Sequence, residues 1–458
     1  MKKSILLVIL FMFVSSVCVA VPATSSSTPV KKSTSSSKTK TATNAKQTKP
    51  AATSSSAFPQ EAKELLARAK AGNVSAQYRV AVSYTKGING FPKNQTQATQ
   101  WHLKAAQSGN ANSQYAIAIA YFKGGQGVPK NQAESLKWMK KAAENGVMYA
   151  QYNLGDIYYT GKGVSLSTKE AFKWYQKAAE QKMPQAQYNL GILYERGEGS
   201  TQNDVEAAKW IRRAADQRYG LAQYHIGTLY QEGRGVAQSQ KEAVKWYTKA
   251  AQKGIAPAQF LLGEIYRTGA GVEANTQTAL KYYKQAASQK HVDAQYTLGL
   301  MYLHGDGVEK NVAEGIKYYK QAANAGHIYA QYNLGVLYAK GENVPENMEE
   351  AFKWFLKAAH KKNVASQFAV AAMYAAGEGV AQNDDEAFMW YQKAAENGHP
   401  LAQYALAIMY LTGTPQTPQD IDKAVSYLER AAAQGIEEAD LMLRKLKGAS
   451  EETTPASP

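Results

Sequence analysis

Residues 151–186 read QYNLGDIYYTGKGVSLSTKEAFKWYQKAAEQKMPQA. Tyr152, Leu154, Gly155, Ile157 and Tyr158 recur at helical spacing, which predicts a first helix with one apolar face. The run Gly161-Lys162-Gly163-Val164 stops it. Thr168-Lys169-Glu170-Ala171 then opens a second helix in the manner of a capping site. Trp174, Ala178 and Ala179 share the side of that helix that faces the first. Small alanines let two helices approach closely, and an aromatic ring fills the space they leave. The stretch therefore predicts one antiparallel helix pair.

The same pattern returns along the chain. Its marker glutamines are Gln77, Gln114, Gln151, Gln187, Gln223, Gln259, Gln295, Gln331, Gln367 and Gln403, separated by 36 or 37 residues. The extra residue of the first, second and tenth repeats falls in one internal loop, for example at Gly124–Gly127, and a surface loop tolerates insertion there. A fixed period of this length dictates a solenoid. The expected fold is all-α, with ten antiparallel helix pairs starting near 76, 113, 150, 186, 222, 258, 294, 330, 366 and 402. Residues 59–71 read as a lone second helix. Residues 439–447 read as a lone first helix, with Leu441, Leu443 and Leu446 turned to the last repeat. A capping helix at each end covers the apolar face a solenoid would otherwise expose.

The recurring string Ala-Gln-Tyr-x-Leu-Gly-x-x-Tyr-x-x-Gly-x-Gly-Val, followed by Glu-Ala-x-Lys-Trp-Tyr-x-Lys-Ala-Ala, resembles the Sel-1-like repeat, a relative of the tetratricopeptide repeat. The resemblance spans about residues 59–447. It departs at Gly341-Glu342-Asn343-Val344 and Gly413-Thr414-Pro415, and where Ala81, Ala118, Ala371 and Ala407 replace the Leu-Gly glycine. It implies a right-handed superhelix with a concave inner surface, acting as an adaptor or scaffold. Exported bacterial members of the family are linked to envelope assembly, control of peptidoglycan enzymes and host-cell interaction. That makes this chain a candidate for virulence association.

The N-terminus predicts export. Lys2 and Lys3 precede an apolar run, Ile5 to Val14, and Cys18-Val19-Ala20 fits a small-x-small cleavage site. Residues 1–20 are read as the signal peptide, which places the mature chain in the periplasm or outside the cell without a transmembrane domain. The alternatives are an uncleaved anchor and, from Cys18, a lipoprotein signal, although Val17 stands where a small residue is expected. Cys18 is the one cysteine of the sequence, so a chain cleaved at Ala20 has no disulfide. Residues 21–57 contain eighteen Ser or Thr among 37 and read as a disordered linker. The linker is a candidate basic tether to a glycan or an anionic envelope surface. Residues 449–458 read as a disordered tail.

The sequence has a formal net charge of +16, of which the eight lysines of residues 1–60 supply half. The remainder is read as spread over about 400 residues, with Glu and Asp mixed into every repeat, and this argues against nucleic acid.

Trp101, Trp138, Trp174, Trp210, Trp246, Trp354 and Trp390 occupy one phase and read as packing. A first-helix aromatic phase includes Tyr152, Tyr188 and Tyr224. The tetratricopeptide analogy turns this phase toward the groove, where Tyr rings make good anchors. Three neighbouring phases vary between repeats. One holds Asn153, Asn189, His225 and Asn333, another holds Asp156, Thr228 and Glu264, and the third holds Tyr159, Glu195, Gln231 and Arg267. Variable residues on a uniform scaffold are the candidate specificity determinants, so the three tyrosines and the seven residues of the last two phases form the expected partner-binding set. His291, His327 and His399 share a turn phase, with repeat spacing of roughly 10 Å, too long for shared metal ligation. No phosphate loop, metalloprotease motif or complete penicillin-binding set accompanies Ser83-Tyr84-Thr85-Lys86. The expected function is a non-catalytic scaffold for a protein partner, with no cofactor and no metal. The alternatives are a hydrolase acting on envelope glycans or antibiotics, or a regulator of a peptidoglycan enzyme.

Overall fold

The computed structural model describes residues 59–125, 127–341, 344–413 and 418–451. The signal, the linker, Cys18, residues 342–343 and 414–417 of the two departing loops, and the final residues 452–458 lie outside the described residues. The described chain is all-helical, with twenty-two helices from Gln60–Lys70 to Glu437–Glu451 and no strand among them. It divides after Ala258 into two compact units. In each unit successive helices pack as antiparallel pairs, for example Met148–Thr160 against Thr168–Glu180 and Val292–His304 against Val312–Asn324. This is the repeat solenoid that the period predicts.

Second helices start at a side-chain cap. In the third repeat the cap is Ser167, one residue before the Thr168 expected from sequence, and its Oγ accepts from the Glu170 N–H at 3.2 Å. Asn94, Asn131, Asn203, Asn275, Asn311, Asn347 and Asp420 cap the same way through a side-chain oxygen. Each satisfies a backbone donor that the helix leaves unpaired. The first helix of the third repeat closes at Gly161, whose φ of +66° is costly for any residue with a Cβ.

Packing follows the predicted phases. Trp174, Trp246 and Trp390 are buried, although Trp210 is only half-buried. Each ring is covered by a cation three residues on, with Lys177 4.5 Å, Arg213 4.3 Å and Lys249 3.8 Å from the centroids of Trp174, Trp210 and Trp246. The Leu-Gly glycine has a steric reason. A Cβ on Gly155, Gly227 or Gly263 would lie 2.7, 2.7 and 2.5 Å from the rings of Tyr175, Tyr247 and Tyr283. Where the glycine is Ala81, Ala118 or Ala407, the register places His102, Met139 or Leu428 opposite instead, whereas in the ninth repeat Ala371 shares the register with a buried tyrosine, Tyr391. Leu443 of the closing helix is buried as expected, but Leu441 is 55 % exposed and turns away from the last repeat.

The marker glutamines are structural. All ten are buried, and the Nε2 of Gln151 donates to the Ala143 carbonyl at 3.0 Å, at the open C-terminal end of the preceding second helix. Gln187, Gln223 and Gln331 bind Ala179, Ala215 and Ala323 in the same way. The other amide atom looks forward. Oε1 of Gln114, Gln151, Gln187, Gln259, Gln367 and Gln403 accepts from Asn145, Gln181, Gln217, Gln289, Asn397 and Gln434 at 2.7–3.3 Å. In the remaining repeats the equivalent residue is Ser108, Lys253, Ala325 or Lys361. There Oε1 of Gln77, Gln223, Gln295 and Gln331 is buried without a partner.

Candidate functional site

The candidate residues all lie on first helices. Four of them, with Tyr159 beside them, form a connected cluster in the unit that ends at Ala258. Tyr152 is half-buried, with its ring 5.7 Å from that of Tyr175. Burial, and then the charge of Asp156, pushes its phenol up to about 12. Asp156 accepts a short hydrogen bond from the Tyr175 hydroxyl. Burial first, and the same carboxylate second, hold the Tyr175 proton firmly in place. Tyr219 comes within electrostatic reach of Asp156.

Tyr188 packs edge-on against Tyr219 at 5.6 Å and against His225 at 5.8 Å, and burial pushes it to about 12. Glu195 is held by His225 Nε2 at 3.2 Å and Arg234 Nη2 at 2.7 Å. Burial pushes its carboxyl up, but the His225 hydrogen bond and the charges of His225 and Arg234 outweigh that and leave it below the usual range. Arg196 donates to the Tyr159 hydroxyl at 3.2 Å.

Tyr224 lies against Tyr247 at 6.0 Å, and Thr228 bonds back to the His225 carbonyl of its own helix. Gln231 accepts from the Tyr247 hydroxyl at 2.7 Å. In the other unit Glu264 accepts from Tyr283 at 2.6 Å and from Arg267 Nη2 at 2.6 Å.

These contacts change the meaning of the variable phases. Asp156, Gln231 and Glu264 each hold the hydroxyl of a second-helix tyrosine, Tyr175, Tyr247 or Tyr283. Where the second helix carries Ile211, Met139, Leu428 or Phe355 instead, the Asp156 phase is apolar (Ile192, Ile119, Ile408 or Val336), although it is also apolar at Leu300 and Ala372, in register with Tyr319 and Tyr391. Part of the variation is therefore internal pairing. Sequence reasoning missed Tyr175, Tyr247, Tyr283 and Arg234, and it reached Asn189 and His225 only as members of a variable phase. The available signal was partial co-variation across repeats at a separation of sixteen to twenty residues.

The histidine phase has a capping role. Nδ1 of His291, His327 and His399 accepts from the backbone N–H of Ala294, Ala330 and Ala402 at 3.1–3.4 Å. Their rings stack on Phe260, Tyr296 and Phe368. Among the described residues no group of three His, Cys, Asp or Glu is placed to hold a metal, and no helix is long and apolar enough to cross a membrane.

The charge is not evenly spread, and acid is not mixed into every repeat, since residues 74–110 contain no Asp or Glu. Residues 59–258 hold 27 Lys and Arg against 14 Asp and Glu, a net +13, whereas residues 378–440 hold three against eleven, a net −8.

Repeated helix pairs, a first-helix face of half-buried tyrosines and uniform second helices define a solenoid of the tetratricopeptide-like class. More particularly, the chain belongs to the Sel1 repeat family, which matches ten consecutive segments from 74–110 to 400–436. Repeats of this family commonly mediate protein–protein interactions, and the scaffold is typically non-catalytic. The chain is similar to a protective antigen present in uropathogenic Escherichia coli strains, with an SLR fold, at 32 % identity and a TM-score of 0.69, over 85 % of this chain and 82 % of that one. It is also similar to a Sel1 repeat protein from Oxalobacter formigenes, at 28 % identity and a TM-score of 0.53, over 76 % and 89 % of the two chains. No curated protein sequence matches it.

Proposed function

We propose that this chain is an exported, non-catalytic scaffold, periplasmic or secreted, that binds a protein partner through the first-helix face of its central repeats. The observation that carries the reading is the cluster built on Tyr152, Asp156, Tyr188 and Glu195. It combines flat aromatic surface with charge on a rigid support, the pairing that peptide recognition uses. The similarity to a protective antigen supports a location outside the cytoplasm, with a role in the envelope or in host contact, and so does the N-terminal sequence. The Lys-rich linker adds a candidate tether to a glycan or an anionic surface.

The test is capture by chemical cross-linking from envelope and host extracts, using the full chain beside Tyr188→Ala, Tyr224→Ala and Lys209→Glu, each first checked for helicity. The tyrosine variants should lose the captured protein while Lys209→Glu keeps it. The reverse order moves the binding surface to the second helices. N-terminal sequencing of the mature protein should begin at Val21, and retention of Met1 in a cytoplasmic fraction contradicts export.

A further inference from the structure

The third and sixth repeats present the same half-site in two states. In the sixth, Glu264 receives the Tyr283 hydroxyl on Oε1 and the Arg267 guanidinium on Oε2, both at 2.6 Å. Phenol and guanidinium thus meet on one carboxylate within one repeat. In the third repeat Asp156 takes the place of Glu264, and Tyr175 the place of Tyr283. The position of Arg267, three residues on, is Tyr159. No cation lies within ion-pair distance of Asp156 among the described residues, although this half-buried carboxylate belongs to a unit with a net charge of +13. The Tyr175 hydroxyl bonds to it, the Tyr152 ring packs 5.7 Å from that of Tyr175, and Tyr219 comes within electrostatic reach.

An ionised carboxylate that is partly removed from water is stabilised by a cation. Tyrosine rings beside it add attraction for a planar guanidinium, which can stack as well as bind a carboxylate through two N–H groups. Glu195, one repeat on, shows the alternative outcome, since His225 and Arg234 already satisfy it. We infer that Asp156, with Tyr152, Tyr175 and Tyr219, is a seat for an arginine side chain of the partner, the guanidinium that Arg267 supplies from within in the sixth repeat. This rests on the scaffold reading above and gives its partner a chemistry: an extended segment that places an arginine over the third repeat. A cationic segment is repelled by the unit as a whole, so its capture depends on this local seat.

The probe is an acetylated, amidated octapeptide of alternating serine and arginine, titrated calorimetrically into the full mature chain, beside its citrulline counterpart, which keeps the shape and loses the charge. The arginine peptide should bind about tenfold or more tightly than the citrulline one. Asp156→Asn, which still accepts from Tyr175, should remove that difference. Tyr159→Arg, which installs the arrangement of the sixth repeat, should also weaken the arginine peptide several-fold, while Glu180→Gln, at an exposed position of the second helix of the third repeat, leaves it unchanged. Equal binding by wild type, Asp156→Asn and Tyr159→Arg overturns the seat. So does tighter binding after removal of residues 21–57, because the chain's own lysines would then be its occupant. Loss of peptide discrimination in Asp156→Asn, with cross-linked capture of the natural protein retained, overturns the arginine assignment alone and leaves the scaffold reading standing.

Discussion

Gln181, at the end of the second helix of the third repeat, donates from Nε2 to Oε1 of Gln151, at the start of the first helix of the same repeat, at 2.7 Å. Because Gln151 also binds the Ala143 carbonyl of the repeat before, one buried amide ties three helices.

Four repeats lack the donor, and this gives a stability prediction. Ala325→Gln should supply the missing partner to Gln295 and stabilise the chain by ~1 kcal/mol, the usual net value of a buried hydrogen bond. Ala325 sits at φ −76°, so the larger residue meets no backbone obstacle. Gln181→Ala should cost about 1–2 kcal/mol, since it strands a buried oxygen. Urea denaturation followed by circular dichroism measures both, and an Ala325→Gln variant that unfolds earlier than wild type contradicts the amide rule.

The turn before each first helix offers a second test. Lys182, Arg218, Lys290 and Lys362 adopt φ of +63° to +67°, where the equivalent residues are Gly72, Gly109, Gly146, Gly254, Gly326, Gly398 and Gly435. A side chain at this φ costs ~1 kcal/mol or more. Arg218→Gly should therefore raise the denaturation midpoint, and a drop of similar size would mean that the side chain makes a contact outweighing its strain.

A pH dependence follows from the capping histidines. Burial holds His399 down at about 4, and it lowers His291 and His327 as well. In the unfolded chain each titrates near 6.5, so the neutral caps contribute fully above about pH 6.5. Their contribution is lost as pH falls toward 4, where unfolding takes up the protons. His399→Asn keeps a side-chain acceptor, as Asn363 does at the same phase, but cannot titrate. Its melting temperature should fall less than that of wild type between pH 7 and pH 4.5. Parallel curves would show that His399 has no part in the acid sensitivity.

Glycine packing gives the largest single effect. Gly263→Ala places a methyl 2.5 Å from the Tyr283 ring, and a crowded core of this kind costs roughly 1–3 kcal/mol. Tyr283→Leu should relieve most of it, because the tenth repeat combines Ala407 with Leu428 in the same register. A double variant no more stable than Gly263→Ala alone would point to another source of the strain.

The fold was legible because a solenoid writes its core at a fixed interval. Trp174 and Ala178 recur with their surroundings, so each repeat confirms the next. The polar contacts were harder to read. Gln151 stands out as a landmark, yet its partners are eight residues back and thirty residues on, beyond the reach of helical spacing. Asp156 looks like a free, variable surface residue until Tyr175, nineteen positions later, folds back onto it. Tyr188 and Glu195 stand on one first helix, but His225 and Arg234, which fix Glu195, come from the following repeat and its loop. Ser167 was missed by one position because Ser and Thr are both good caps.

The amide tie also bears on how such a chain lengthens. Both halves of the Gln151–Gln181 bond lie inside one 36-residue period, and the bond backward needs only a main-chain carbonyl, which every residue provides. A tandem duplication of that block would carry a complete set of fastenings into the new copy without requiring matched substitutions elsewhere. Growth by copying is then nearly neutral from the start, and the copies can diverge at positions such as Asp156 and Glu264 while their joints stay the same.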